Sequence, residues 1–281
     1  MGSRWLSLLC ACAAALAWLP AGAAAPVISI IIDDLGDRRD EGARVIGLPG
    51  PVACAILPNT PHGVQQALDA HAHGKEVLLH FPLEPKAGGG RAHPLAVTTR
   101  SSREELVSKL RDDLDSLPFV NGVNIHQGSL LSQRTDYMNW MMAELRARGG
   151  LYFVDSFTSA QSVAWPVAEA WELAATRRQV FLDDVRDPEE IRAQLVRLIA
   201  KAQREGSALA IGHPYPETIA VLERELPALA RYQVRLVAPS ELIRIQQGVR
   251  PAPRNRPLQL KFTQTFALST IATAPLTRAS H

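Results

Sequence analysis

At 281 residues, with 47% hydrophobic and 21% charged side chains, the chain can bury a large core, and one α/β domain accounts for most of it. Its formal net charge of +2 is too small to imply a nucleic-acid partner. Three cysteines, two of them Cys10 and Cys12 near the start, exclude a disulfide framework.

The chain opens with Arg4, the apolar stretch "WLSLLCACAAALAWL" and the small residues "AGAAAP". That order of charge, apolar run and small residues predicts a signal peptide over 1–25, cut near Ala23. The run falls short of the roughly 20 residues of a membrane-spanning helix, and Pro20 follows it. No stable membrane insertion is therefore expected after cleavage, and the mature protein is expected in the periplasm. Cys54, the one cysteine left, lies in "VACAIL" and reads as a buried small hydrophobe.

Short apolar runs then alternate with amphipathic stretches, the pattern of βα units. The runs are "VISIII" (27–32), "VACAIL" (52–57), "EVLL" (76–79), "GVNI" (122–125), "LYFV" (151–154), "QVFL" (179–182), "ALAI" (208–211) and "VRLV" (234–237). Near-continuous apolarity predicts parallel strands covered on both faces. Between them, "SREELVSKLRDDLDSL" and "PEEIRAQLVRLIAKAQREG" carry apolar residues at helical spacing. Ser102, with Glu105 three residues on, reads as a capping box, and Asp187 as a second N-cap. Seven to eight such units over 26–247 predict a single (β/α) barrel. The glycine-rich stretch Pro82 to Arg100 is expected to form a mobile flap. Residues 248–281 contain no acidic residue and read as a weakly structured basic tail.

Ionisable groups follow the strands: "DD" after the first, "HFPLE" after the third, "HQGS" after the fourth, "DSFTS" after the fifth, "DD" after the sixth, "GHP" after the seventh. In a βα barrel the carboxyl ends of the strands share one rim, where the chemistry sits. For Ser156, Thr158 and Asp184, taken alone, a helix-cap or turn role is the favoured reading. Histidine is a poor cap, so His80, His126 and His213 are expected to converge, whereas His62, His71, His73, His93 and His281 read as surface residues. Asp33, Asp34, His80 and His126 are the donor types of a catalytic Zn²⁺ or similar divalent site. One carboxylate of the pair would serve as base, and His213 would protonate the leaving group. That inventory suits a metal-dependent amide or ester hydrolase.

Taken together, "IIIDDLG", "EVLLHFPLEP", "GVNIHQGS", "FVDSFTS", "VFLDD" and "IGHPYPET" resemble the divergent polysaccharide deacetylases, a branch of a superfamily of distorted deacetylase-type (β/α) barrels. The resemblance spans Pro26 to Leu242. It implies an acetylated envelope glycan as substrate, Asp33 as base, Asp34, His80 and His126 as metal ligands, and His213 as catalytic histidine oriented by Asp155. Glu84, Asn124, Ser129, Ser156, Arg178 and Asp183 would line the rest of the rim. Two departures stand out. Glu84 occupies the place four residues after His80 where the superfamily has its second histidine, which leaves Glu84 as an alternative ligand to His126. Ile125 and Gln127 replace the Asn and Met that flank the histidine within the divergent branch. A non-catalytic periplasmic metal- or glycan-binding protein is the alternative on the same fold. A glycosidase pairing Asp33 with Asp155 or Asp183 is a third reading, which leaves the three histidines unexplained.

Overall fold

A computed structural model describes residues 25–248. The predicted signal peptide up to Ala24 and the tail from residue 249 onward lie outside the described residues. The elements run β1 (Val27–Leu35), α1 (Arg39–Gly47), β2 (Ala53–Ile56), α2 (Gly63–Ala72), β3 (Val77–Leu83), α3 (Arg103–Asp115), β4 (Val120–Gln127), α4 (Thr135–Arg148), β5 (Tyr152–Asp155), α5 (Ala164–Ala170), β6 (Ala175–Arg177), β7 (Val180–Phe181), α6 (Pro188–Glu205), β8 (Ser207–Gly212), α7 (Pro216–Glu225), β9 (Arg235–Leu236) and α8 (Pro239–Gln246).

Every strand pairing is parallel, in the order β6-β5-β4-β3-β2-β1-β8-β7, with β9 beside the start of β1. The two outer strands of that order belong to one short segment. Arg178 N donates to Asp155 O on one side, and Gln179 N donates to Leu209 O on the other. The chain passes from the β5 edge to the β8 edge within a few residues, so the sheet is curled into a distorted (β/α) barrel. Sequence periodicity missed β6, because "ATR" is a short polar stretch with no apolar run.

Alternation along the strands builds two cores. Val27, Ile31, Ala53, Ala55, Leu78, Tyr152, Val154, Leu209 and Ile211 pack together inside the curl. Ile28, Ile30, Cys54, Val77, Val123, Ile125, Phe153 and Ala210 pack outward against the helices. Cys54 is fully buried, and burial pushes its thiol up to about 12. Both predicted caps form. Ser102 Oγ accepts from Glu105 N while Glu105 Oε2 accepts from Ser102 N, and Asp187 Oδ1 accepts from Glu189 N and Glu190 N.

The inner end at the amino ends of the strands is filled by Tyr152, whose hydroxyl donates to Glu76 Oε2 at 2.8 Å. Gly122 on the neighbouring strand leaves room for that ring: a Cβ there would stand 2.5 Å from Tyr152 Cε2. Gly122→Ala is expected to destabilise the protein by roughly 1–3 kcal/mol through overpacking. Urea unfolding followed by circular dichroism reads this, and a midpoint equal to wild type would contradict it.

Candidate metal centre and active site

The inner rows continue past the core into polar residues at the carboxyl ends of the strands. Ile31 is followed two places on by Asp33, Leu78 by His80, Asn124 by His126, Phe181 by Asp183, and Ile211 by His213. A strand turns every second side chain the same way, so these groups meet above the inner core. Asp34 breaks the alternation. As the next residue after Asp33 it should point outward, but the β1–β2 register shifts between Ile32 and Leu35 and Asp34 has φ 56°. The local bulge swings its carboxylate into the same cleft. A left-handed conformation outside glycine costs roughly 1–3 kcal/mol and concentrates at functional sites. Gln127 and Phe157, at the ends of β4 and β5, share it.

The register His80 opposite Asn124 and Pro82 opposite His126 sets the histidines side by side. Asp34 Oδ1 lies 3.1 Å from His80 Nε2 and 2.8 Å from His126 Nδ1, and those two nitrogens are 3.2 Å apart. Asp34, His80 and His126 are the one group of potential ligands found clustered among the described residues. A cation held about 2.0–2.1 Å from each of three tetrahedral ligands needs them roughly 3.3 Å apart, so the triangle fits Zn²⁺ in size and donor type. His80 is oriented from behind. Asn124 Nδ2 donates to Asp33 Oδ1 at 2.7 Å, which leaves Asn124 Oδ1 to accept from His80 Nδ1 at 2.8 Å. His80 Nε2 therefore faces the cleft, as a ligand nitrogen must.

The neighbouring carboxylates are driven apart. Burial raises the pKa of Asp33 above the ordinary carboxylate range, against partial relief from His80 and His213. Burial acts the same way on Asp34, but hydrogen bonds from His126 and His80 outweigh it and hold Asp34 well below that range. His80 is pushed down by burial and raised more strongly by Asp33 and Asp34, to about 9. Across the cleft, His213 Nε2 stands 3.8 Å from Asp34 Oδ2. Burial lowers the His213 pKa, but the Asp183 hydrogen bond and the charges of Asp34, Asp183 and Asp33 raise it overall.

The carboxylate that orients His213 is Asp183, which corrects the expectation for Asp155. Asp183 Oδ1 lies 2.9 Å from His213 Nδ1, and its Oδ2 accepts from His213 N and Thr218 Oγ1 at 2.6 and 2.7 Å. Asp155 has the wrong parity: Val154 belongs to the inner row, so Asp155 faces outward. There it accepts from Phe157 N, Ser162 Oγ and Trp165 N. Since Asp155 points away and Asp183 is fully engaged, neither can flank a sugar bond with Asp33, which removes the glycosidase reading.

Of the expected rim residues, Ser156 and Arg178 line the cleft, a cavity of about 480 Å³. Ser156 Oγ accepts from Ile125 N, and Arg178 donates to Ser156 O and Phe157 O. Asn124 is wholly buried behind His80 and Asp183 behind His213, so both position histidines and do not face substrate. Glu84 and Ser129 stand outside the cleft lining. Glu84 Oε2 accepts from Thr99 N, and Ser129 Oγ accepts from Lys86 N, which makes both anchors of the stretch from Pro82 to Arg100. Gln127 is a third anchor, accepting from His93 N and donating to Arg91 O. Leu83 also bridges to Val97. These contacts tie the glycine-rich stretch to the ends of β3 and β4. It places the His93 ring edge-on to His126, centroids 5.5 Å apart, a neighbour that no strand pattern in the sequence announces. Ile125 packs in the outer core, so its apolarity serves packing and takes nothing from His126, which Asp34 already holds.

The family model described as divergent polysaccharide deacetylase matches residues 30–243. The chain belongs to the divergent polysaccharide deacetylase family. It is 34% identical over 254 residues to the uncharacterized protein YibQ of Escherichia coli K12, covering 86% of this chain and 78% of that one. It is 30% identical over 230 residues to an uncharacterized protein of Haemophilus influenzae, covering 80% of each. A crystal structure of the uncharacterized protein ATU2773 from Agrobacterium tumefaciens C58 superposes with a TM-score of 0.74 at 24% identity, over 79% of this chain and 90% of that one. At that identity the likeness supports the fold.

A metal ion held by Asp34, His80 and His126 would have to displace a proton from His80. Zn²⁺ affinity is expected to rise with pH up to about 9, the value to which His80 is raised. Calorimetric titration in buffers of differing ionisation enthalpy reads the proton release. Asp155→Asn is expected to leave the affinity unchanged. Affinity independent of pH would contradict the account.

Proposed function

We propose that this chain is an exported, Zn²⁺-dependent hydrolase that removes acetyl groups from an envelope polysaccharide in the periplasm. The observation that carries the reading is the adjacent pair Asp33 and Asp34, whose proton affinities are pushed in opposite directions within one cleft. Such a division marks one carboxylate for proton transfer and the other for holding charge. Membership of the deacetylase family supports the reaction class, and the amino-terminal signal pattern supports export. Among the described residues no helix is long and apolar enough to cross a membrane.

Asp34, His80 and His126 would hold the metal, which when bound supplies Lewis-acid polarisation of a carbonyl and lowers the pKa of water. Asp33 accepts the proton of the attacking water: its carboxylate is fixed by Asn124 and its raised proton affinity suits a general base. His213 delivers a proton to the departing amine or alkoxide. Asp183 occupies Nδ1, which directs Nε2 toward the cleft, and the raised pKa favours the protonated ring. Arg178 adds a fixed positive charge to the cleft wall, where acyl oxygen gains negative charge.

Asp33→Asn is expected to lower acetate release from acetylated glycan fragments by about 10²–10⁴-fold with Zn²⁺ still bound. Asp183→Asn removes a group that raises the His213 pKa. The alkaline limb of the rate profile, where His213 loses its proton, is then expected to move to lower pH. Acetate release measured against pH checks both. Bound Zn²⁺ without acetate release from any glycan would favour the non-catalytic binding protein.

A further inference from the structure

A second groove of about 600 Å³ runs beside the cleft, between β7 and α6. The two cavities share Arg178, Phe181 and Asp184 as a common wall. α6 buries Ile191, Leu195, Leu198, Ile199 and Ala202. Its steps of four and three then turn Arg197, Lys201 and Arg204 into the groove together. With Arg178 they put four cations on a lining whose single anion is Asp184.

What sets these cations apart is their gathering on one lining beside the cleft, with two arginines left unpaired there among the described residues. Arg44 pairs with Glu223, Arg111 with Glu144, Arg134 with Asp136 and Arg148 with Asp115. In the groove Lys201 is paired with Glu205 at 2.6 Å, but neither Arg197 nor Arg204 has an ion pair or side-chain hydrogen bond among the described residues. Arg178 is half-buried with no carboxylate in ion-pair contact. It donates to two backbone carbonyls and lies 4.6 Å from the centre of the Phe181 ring. A positive groove with low-dielectric walls focuses potential onto an anion entering it.

We propose that this groove is a subsite for acidic substituents, carboxylate or phosphate, on the same polymer whose acetyl group enters the cleft, so that the substrate class is an anionic polysaccharide. The proposal rests on the reading of the cleft as a glycan deacetylase site. Continuity through the shared wall lets one chain occupy both cavities. Phe181, whose ring also meets His213 edge-on at 5.4 Å, gives an apolar surface between them for the C–H face of a sugar. Guanidinium groups beyond it match carboxylate or phosphate by paired N–H donation. Because Arg197 and Arg204 are exposed, their contribution falls as salt screens it.

The test compares binding of three labelled oligosaccharides to the full chain at low ionic strength. One is a neutral N-acetylglucosamine oligomer, one alternates N-acetylglucosamine with a uronic acid, and one carries phosphate. At least one acidic oligomer is expected to bind roughly tenfold more tightly than the neutral one, and the response to carboxylate or phosphate identifies the substituent. The double variant Arg197→Glu/Arg204→Glu is expected to lose that preference while keeping neutral-oligomer affinity and melting temperature. Arg197→Gln/Arg204→Gln serves in the same way if charge reversal disturbs folding. Equal affinity for acidic and neutral oligomers, or a preference that survives both double variants, overturns the proposal. Binding is read apart from turnover. Charge-dependent binding without acetate release would fail the deacetylase reading and leave the subsite standing, and acetate release with no charge preference would do the reverse.

Discussion

Strand alternation is the constraint on which the site depends. Parallel strands curled into a barrel turn every second residue inward, and the same rows that build the inner core from Ile31, Leu78 and Ile211 end in Asp33, His80 and His213. A residue displaced by one position is lost to the site, as Asp155 is. The bulge at Asp34 is the exception that completes the triangle of potential metal ligands, because two adjacent carboxylates can enter one cleft only if the backbone departs from the strand between them. The bulge sits between two pairings of β1 with β2, Ile32 with Cys54 and Leu35 with Ile56.

Charge then does what geometry alone cannot. Asp33 and Asp34 are neighbours in sequence and share a cleft, yet Asp34 is hydrogen-bonded to two imidazole nitrogens while Asp33 is hydrogen-bonded to an amide, with His80 Nε2 3.7 Å away. The first environment favours the charged form and the second leaves the desolvation of Asp33 only partly offset. Asn124 links the two halves, touching Asp33 with its nitrogen and His80 with its oxygen. Asp183 does for His213 what Asn124 does for His80, fixing which nitrogen meets the cleft. The positive groove beside β7 shares Arg178, Phe181 and Asp184 with that cleft.

Much of this could be read from the sequence. Eight apolar runs gave the main strands, and polar residues after them gave Asp33, Asp34, His80, His126 and His213, because buried strands and their polar ends differ sharply in composition. The segment β6 was silent, being too short and polar to show periodicity. The partner of His213 was misread because "VDS" and "LDD" look alike as motifs, and only the inward parity of Val154 and Phe181 tells Asp155 from Asp183. Nothing comparable announced that Glu84, Ser129 and Gln127 would tie down the glycine-rich loop, since those contacts join segments distant in the chain and depend on the folded path.

The central claim is that the bulge at Asp34 brings its carboxylate together with His80 and His126 to hold a metal ion. Anomalous diffraction at the zinc edge, from crystals of the protein grown with Zn²⁺, tests it most directly. The account predicts one strong peak bonded to Asp34, His80 Nε2 and His126 Nδ1, absent from His126→Ala crystals. A peak bonded to Glu84 in place of His126, or no peak in the cleft, would contradict it.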